Sequence, residues 1–125
     1  YYEEQVAGYL GFASYFDGGP QVFGITGDFI RSAMNGRFDD TVILMMGCDG
    51  LRNDEAADAF IERDASSYVS WSEFVSANHT DVATERLLEL LLAEEVPLPD
   101  AVARTNAEVG PDPTFGSELL YRTPQ

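Results

Sequence analysis

Hydrophobic and polar positions divide the chain into short blocks with different periods. Residues 9–15 (YLGFASY) and 21–26 (QVFGIT) are aromatic and β-branched runs flanking the turn cluster Phe16-Asp17-Gly18-Gly19-Pro20, which predicts a β-hairpin. Gly27-Asp28 then opens a short helix with Phe29, Ile30 and Ala33 on one side, stopped by Asn35-Gly36. The run Thr41-Val42-Ile43-Leu44-Met45-Met46-Gly47 carries no charge and does not alternate. That pattern predicts a strand buried on both faces, in a parallel or mixed sheet with helices on each side. Asn53 caps a helix over 54–63 whose apolar face is Ala56, Ala59 and Phe60. Residues 66–71 (SSYVSW) form the next strand. Asn78 or Thr80 caps a long helix to 95, on which Val82, Leu87, Leu88, Leu91 and Leu92 recur at near-helical spacing. Pro97 and Pro99 break it, a short helix covers 100–109, and 119–122 is a last edge strand. Strand, helix, strand, helix in that order is the pattern of one layered α/β domain with right-handed crossovers.

A length of 125 residues and a hydrophobic fraction of 45% bound the chain to one globular domain, residues 1–125. No apolar run is long enough to cross a bilayer, so no membrane insertion is expected. No basic stretch precedes an apolar one at the start, so a cytoplasmic setting is the expectation. The first residue is Tyr1 and not Met, which fits an excised or processed part of a longer protein. Charge changes the picture most. There are 22 Asp plus Glu against seven basic residues, and the net charge is −15. Every one of the basic residues is Arg. Phosphate backbones are repelled by such a chain, which argues against nucleic-acid partners. So many carboxylates with no Lys fit a halophilic protein in a high-salt environment, where salt screens the self-repulsion.

Candidate chemistry centres on the one cysteine, Cys48, which ends the uncharged run and is followed by Asp49-Gly50. α/β proteins hold reactive groups at the C-terminal ends of strands. Cys48 is either a nucleophile, which needs a base or helix N-terminus to make its thiolate, or a small side chain filling a strand end. Gly47 and Gly50 either bare the backbone for a substrate carbonyl or make the turn. Ser70 and Trp71 end the second strand, where an aromatic caps the core, and Asp49 and Glu73 belong to the acidic surface. His79, the one histidine, is a helix-start residue or a general base. One Cys and one His exclude a disulfide and a Cys-rich zinc site, and no cofactor motif is present.

Residues 41–109 resemble the C-terminal half of the caspase-like (clan CD) cysteine peptidase superfamily, which includes caspases, gingipains, clostripain, separase and CHAT domains. The resemblance lies in Met46-Gly47-Cys48 at a strand end, Ala57-Asp58-Ala59-Phe60 on the next helix, and Ser70-Trp71 ending the next strand. A polar loop, the helix over 80–95 and the Asp100-Ala101 helix start complete it. It implies a three-layer α/β/α sandwich with a mostly parallel central sheet. It implies Cys48 as nucleophile, the Gly47–Cys48 backbone as oxyanion donor, and Asp49, Ser70 and Trp71 around the substrate pocket. A peptide or protein would be the substrate or partner, with no cofactor and no metal. The family's catalytic His precedes its Cys, whereas residues 1–47 contain none. The base, with the N-terminal part of the same domain, is therefore expected upstream. The alternative is an inactive relative acting as an interaction or structural module. A flavodoxin-like or receiver domain fits less well, because the Asp cluster or phosphate-cradling glycine loop is absent.

Overall fold

The strand with the most buried positions organises the chain. In a computed structural model describing residues 1–125, Ala65–Trp71 is the middle strand of a three-stranded sheet. The elements in order are helix α1 (Tyr2–Val6), strands β1 (Leu10–Ala13) and β2 (Val22–Ile25), a π-helical turn (Phe29–Ala33), β3 (Thr41–Met45), α2 (Glu55–Ile61) and β4 (Ala65–Trp71). They continue with α3 (Ala77–Leu88), which runs into a second π-helical turn (Glu89–Ala93), then α4 (Leu98–Val109) and β5 (Leu119–Arg122). The fold is mixed α/β, as the pattern predicts. β1 and β2 make a separate antiparallel hairpin, with Phe12 opposite Phe23. Its turn closes with the Gly19 N–H donating to the Phe16 carbonyl at 2.9 Å, and Gly18 sits at φ +75°, where a side chain is disfavoured.

β3 and β4 are adjacent and parallel, Ile43 opposite Tyr68 and Met45 opposite Ser70, joined through α2 as the long connection requires. β5 lies antiparallel on the other side of β4, with Trp71 opposite Leu119. The sheet therefore has one parallel and one antiparallel ladder, in place of the mostly parallel sheet expected.

Alternation along β4 feeds two cores. Tyr68 packs with Leu51 and Ala57, joined by Ile43, Phe60 and Leu120, beneath α2. Val69 and Trp71 pack with Ala83, Leu87, Leu90, Ala101, Val102 and Leu119, which brings in α3 and α4.

The expectation that 41–47 is buried on both faces is corrected. β3 is an edge strand, and Val42 and Met45 are 41% and 43% exposed. Absence of charge reports apolar character, but burial on both faces needs packed cover over both faces, which β4 in the middle of the sheet has and the edge strand β3 has only in part. The far edge of β5 is closed by Asn106, whose side-chain amide donates to the Leu119 carbonyl at 2.9 Å and accepts its N–H at 3.0 Å.

Helix ends shift by a few residues from expectation. Asn53 does accept the Glu55 N–H, at 3.2 Å. The long helix begins earlier than the predicted caps: Ser76 stands at its cap, Asn78 lies within its first turn, and Thr80 serves elsewhere. α4 starts at Leu98, because Pro99 fits a first helical turn that needs no N–H from it.

Candidate functional site around Cys48

Hydroxyls of β4 and α3 fix the path of the chain as it leaves β3. Ser70 Oγ donates to the Met45 carbonyl at 2.5 Å and reaches toward that of Gly47 at 3.5 Å. Thr80 Oγ1 donates to the Met46 carbonyl at 2.8 Å and accepts the Trp71 indole N–H at 2.9 Å. Consecutive carbonyls before Cys48 are thus tied to a buried serine and a half-buried threonine. Ser70 and Trp71 are 0% and 1% exposed, so they stand behind the thiol loop and do not wall a pocket.

Beyond Cys48 the chain turns back along residues 71–75. The Asp49 N–H donates to the Glu73 carbonyl at 3.1 Å and the Leu51 N–H to that of Trp71 at 3.0 Å. Asp49 takes φ +58°, a left-handed conformation that Asp tolerates better than most residues. At Gly50 an added Cβ would lie 2.0 Å from Ser70 Oγ, so packing forbids a side chain there. At Gly47 an added Cβ would meet nothing within 4 Å. The two flanking glycines are bare for different reasons: Gly50 against the core, Gly47 toward open space.

The Cys48 side chain is exposed. Its sulfur meets the Val75 backbone twice, accepting the N–H at 3.4 Å and donating to the carbonyl at 3.5 Å. The Cys48 N–H itself has no acceptor within the protein. His79 makes no hydrogen bond to the thiol. Its Nε2 bonds the Gly110 carbonyl at 3.0 Å, and its ring lies 5.4 Å from that of Trp71.

A cleft of about 650 Å³ opens next to the thiol loop. Tyr15, Phe16 and Asp17 of the β1–β2 loop form one wall; Asp49 and Phe74 form the other. Of the three residues expected at a substrate pocket, Asp49 alone lines this cleft. No cluster of His, Cys, Asp and Glu has the arrangement of a metal site.

Support for the 72–76 segment comes from a residue the sequence reading passed over. Asp112 is 2% exposed. Its carboxylate accepts the N–H groups of Ser76 at 2.8 Å, Thr114 at 2.9 Å and Phe115 at 2.8 Å. Burial alone would raise its pKa. The bonds from Ser76, Phe115 and Thr114 outweigh burial and hold it well below the usual aspartate range. Ser117 Oγ adds bonds to Glu73, accepting its N–H at 3.0 Å and donating to its carbonyl at 3.2 Å. The signal available was the turn-forming Pro111-Asp112-Pro113, but nothing in it says that this carboxylate is buried under the thiol loop's neighbour.

No protein-family model, no curated protein and no solved structure matches the chain.

Proposed function

We propose that residues 1–125 are the C-terminal part of a caspase-like cysteine peptidase domain, with Cys48 as the nucleophile. One observation carries this reading: an exposed thiol just past the C-terminal end of a strand in a parallel pair, with its own N–H free and Gly47 open in front of it. In this reading α2 and the α3–α4 pair are the outer layers of an α/β/α sandwich whose sheet continues past the open edge of β3.

The chemistry is acyl transfer. The Cys48 sulfur attacks a peptide carbonyl carbon, and the oxygen takes up the electron pair and is held by the Cys48 N–H. An imidazole from outside residues 1–125 removes the thiol proton and returns it to the leaving amine as the C–N bond breaks. Water then releases the thioester. His79 does not fill that role, since Gly110 and Trp71 hold it elsewhere. A second reading, an inactive relative serving as an interaction module, is favoured by the contact of the sulfur with Val75 and by the lack of an imidazole beside it.

The test is acylation of Cys48 by short peptide thioesters in molar KCl, with and without added imidazole, followed by intact mass. The proposal expects no peptide-bond cleavage by residues 1–125 alone. It expects imidazole-assisted acyl transfer faster than to a free cysteine peptide, lost in Cys48→Ala. Acylation no faster than that of free cysteine would refute the peptidase reading and leave the interaction module.

A further inference from the structure

We infer that Asn35-Gly36, just past the first π-helical turn, is a self-modifying site. It converts to aspartate and isoaspartate in the folded protein, and the isoaspartate loosens the loop that feeds β3. Nothing at this site depends on Cys48. The reaction needs only water. Hydroxide takes the Gly36 amide proton, and the freed nitrogen attacks the Asn35 Cγ. The Cγ–Nδ2 bond breaks and ammonia leaves with a proton from water, which restores the hydroxide and closes a succinimide ring. Water then adds to one of the two ring carbonyls. Opening at Cγ gives aspartate. Opening at the Asn35 main-chain carbonyl gives isoaspartate, whose main chain runs through Cγ and is longer by one methylene. Either product adds a negative charge.

A fold shields an asparagine by bonding its side chain, by bonding the next N–H, or by crowding that nitrogen. None of these holds at residue 35. Asn35 and Gly36 are both exposed and lie outside every helix and strand. Neither the Asn35 side chain nor the Gly36 N–H has a hydrogen-bond partner within the protein. A Cβ built on Gly36 would meet nothing within 4 Å, so the ring has room to close. The other asparagines are held. Asn53 Oδ1 accepts the Glu55 N–H at 3.2 Å, and the Asn106 side chain bonds both backbone groups of Leu119. Asn78 lies within α3.

Arg63 gives the modification its structural effect. Its guanidinium donates to the carbonyls on both sides of residue 35, that of Met34 at 2.7 Å and that of Gly36, and to that of Arg31 at 3.3 Å. The Arg63 carbonyl in turn accepts the Phe38 N–H at 2.8 Å. Every other arginine pairs with a carboxylate, and Arg63 alone does not. The loop is therefore pinned to the end of α2 through carbonyls at a fixed spacing along the main chain. Isoaspartate puts an extra methylene between the Met34 and Gly36 carbonyls, so one guanidinium no longer meets both in this geometry. The Arg63 Nε already lacks an acceptor. A further lost bond therefore falls on a half-buried cation with no carboxylate to replace it. Aspartate keeps the spacing and leaves the anchor intact.

The experiment ages the full chain in molar KCl at mildly alkaline pH, beside a blocked peptide of residues 33–38. Ammonia release and peptide mass maps follow the conversion, and an isoaspartyl methyltransferase counts isoaspartate. Conversion should be confined to residue 35 and should quicken with pH. Its rate should lie within about tenfold of the peptide's, a barrier difference within about 1.4 kcal/mol. Asn35→Gln, at an exposed side chain without partners, should abolish it. The isoaspartate form is then separated by ion exchange and compared with Asn35→Asp, which carries the same charge. Its Phe38 amide should exchange with solvent about tenfold faster. Conversion more than about tenfold slower than in the peptide, or conversion at Asn53, Asn78 or Asn106 in place of Asn35, would overturn the site. Equal Phe38 exchange in the isoaspartate form and in Asn35→Asp would overturn its effect on the loop.

Discussion

Gly50→Ala isolates the contact that shapes the thiol loop. The new Cβ would stand 2.0 Å from Ser70 Oγ and 2.8 Å from Ser70 Cβ, far inside contact distance. Ser70 has no room to yield: it is fully buried, and its hydroxyl is bonded to the Met45 carbonyl at 2.5 Å. Overpacking a core of this kind costs about 1–3 kcal/mol. If Ser70 turns away, an unpaired buried group adds about 1–3 kcal/mol. The expected loss, both terms acting, is therefore about 2–6 kcal/mol. At about 3–4 °C per kcal/mol for a domain of this size, Tm should fall by roughly 6–24 °C. Thermal melts followed by circular dichroism at fixed molar KCl measure it. The decisive arm is a double-mutant cycle with Ser70→Gly, which removes both clashing atoms. In that background Gly50→Ala should cost less than about 0.5 kcal/mol, because Gly50 does not use a left-handed φ and alanine even lowers the entropy of the unfolded chain. Additive effects, or a Gly50→Ala Tm within 2 °C of the parent, would refute the packing account and return Gly50 to a role in admitting substrate.

Two further outcomes follow from the charges. Asp112 has a folded-state pKa below its unfolded value of about 3.9, so its stabilisation is complete above that value and is lost as pH falls through the lower, folded one. Asp112→Asn should therefore lower Tm at neutral pH and flatten the acid limb below about pH 4; an acid limb as steep as the parent's would contradict it. A chain of net charge −15 whose seven arginines face 22 carboxylates should lose structure on dilution from molar to low KCl, since the Debye length grows from about 3 Å to about 30 Å. Melts that coincide at both salt concentrations would sink that expectation.

Elements with a strong period or a strong punctuation mark were legible in the sequence. The hairpin, β3, β4 and β5 lie within a residue or two of their predicted spans, because Gly18-Gly19, Asn53 and Gly110 act through local backbone geometry. Burial was less legible. Thr41–Met45 and Ala65–Trp71 are both uncharged runs, yet only the second is covered on both faces, because sheet order is a long-range property. The site was legible as a position and not as a geometry. Cys48 at a strand end with open Gly47 follows from the run itself. That Ser70 and Trp71 serve from behind, through Met45, Gly47 and Thr80, depends on partners from 9 to 25 positions away. Asp112 joins the Ser76 loop from 36 positions away, and no local pattern announces it.

The placement of the thiol also limits where a base can come from. On one side of Cys48 the 71–75 segment is already in contact, with Val75 on the sulfur and Glu73 on the Asp49 N–H. Asp112 and Ser117 hold that segment through buried bonds, so it is not free to swing away. Contacts of the sulfur with the Val75 N–H and carbonyl are individually weak, and a rotation about the Cys48 side chain breaks both at small cost. They steady the sulfur without disabling it. An open approach lies along the edge of β3, where Val42 and Met45 stand exposed and no strand is paired. In the proposed mechanism the imidazole enters from that edge, and a strand added alongside β3 would help to cover those apolar side chains and present a side chain at the level of Cys48 in the same step. Burying Val42 and Met45 would then help to position the base, which couples completion of the sheet to completion of the active site.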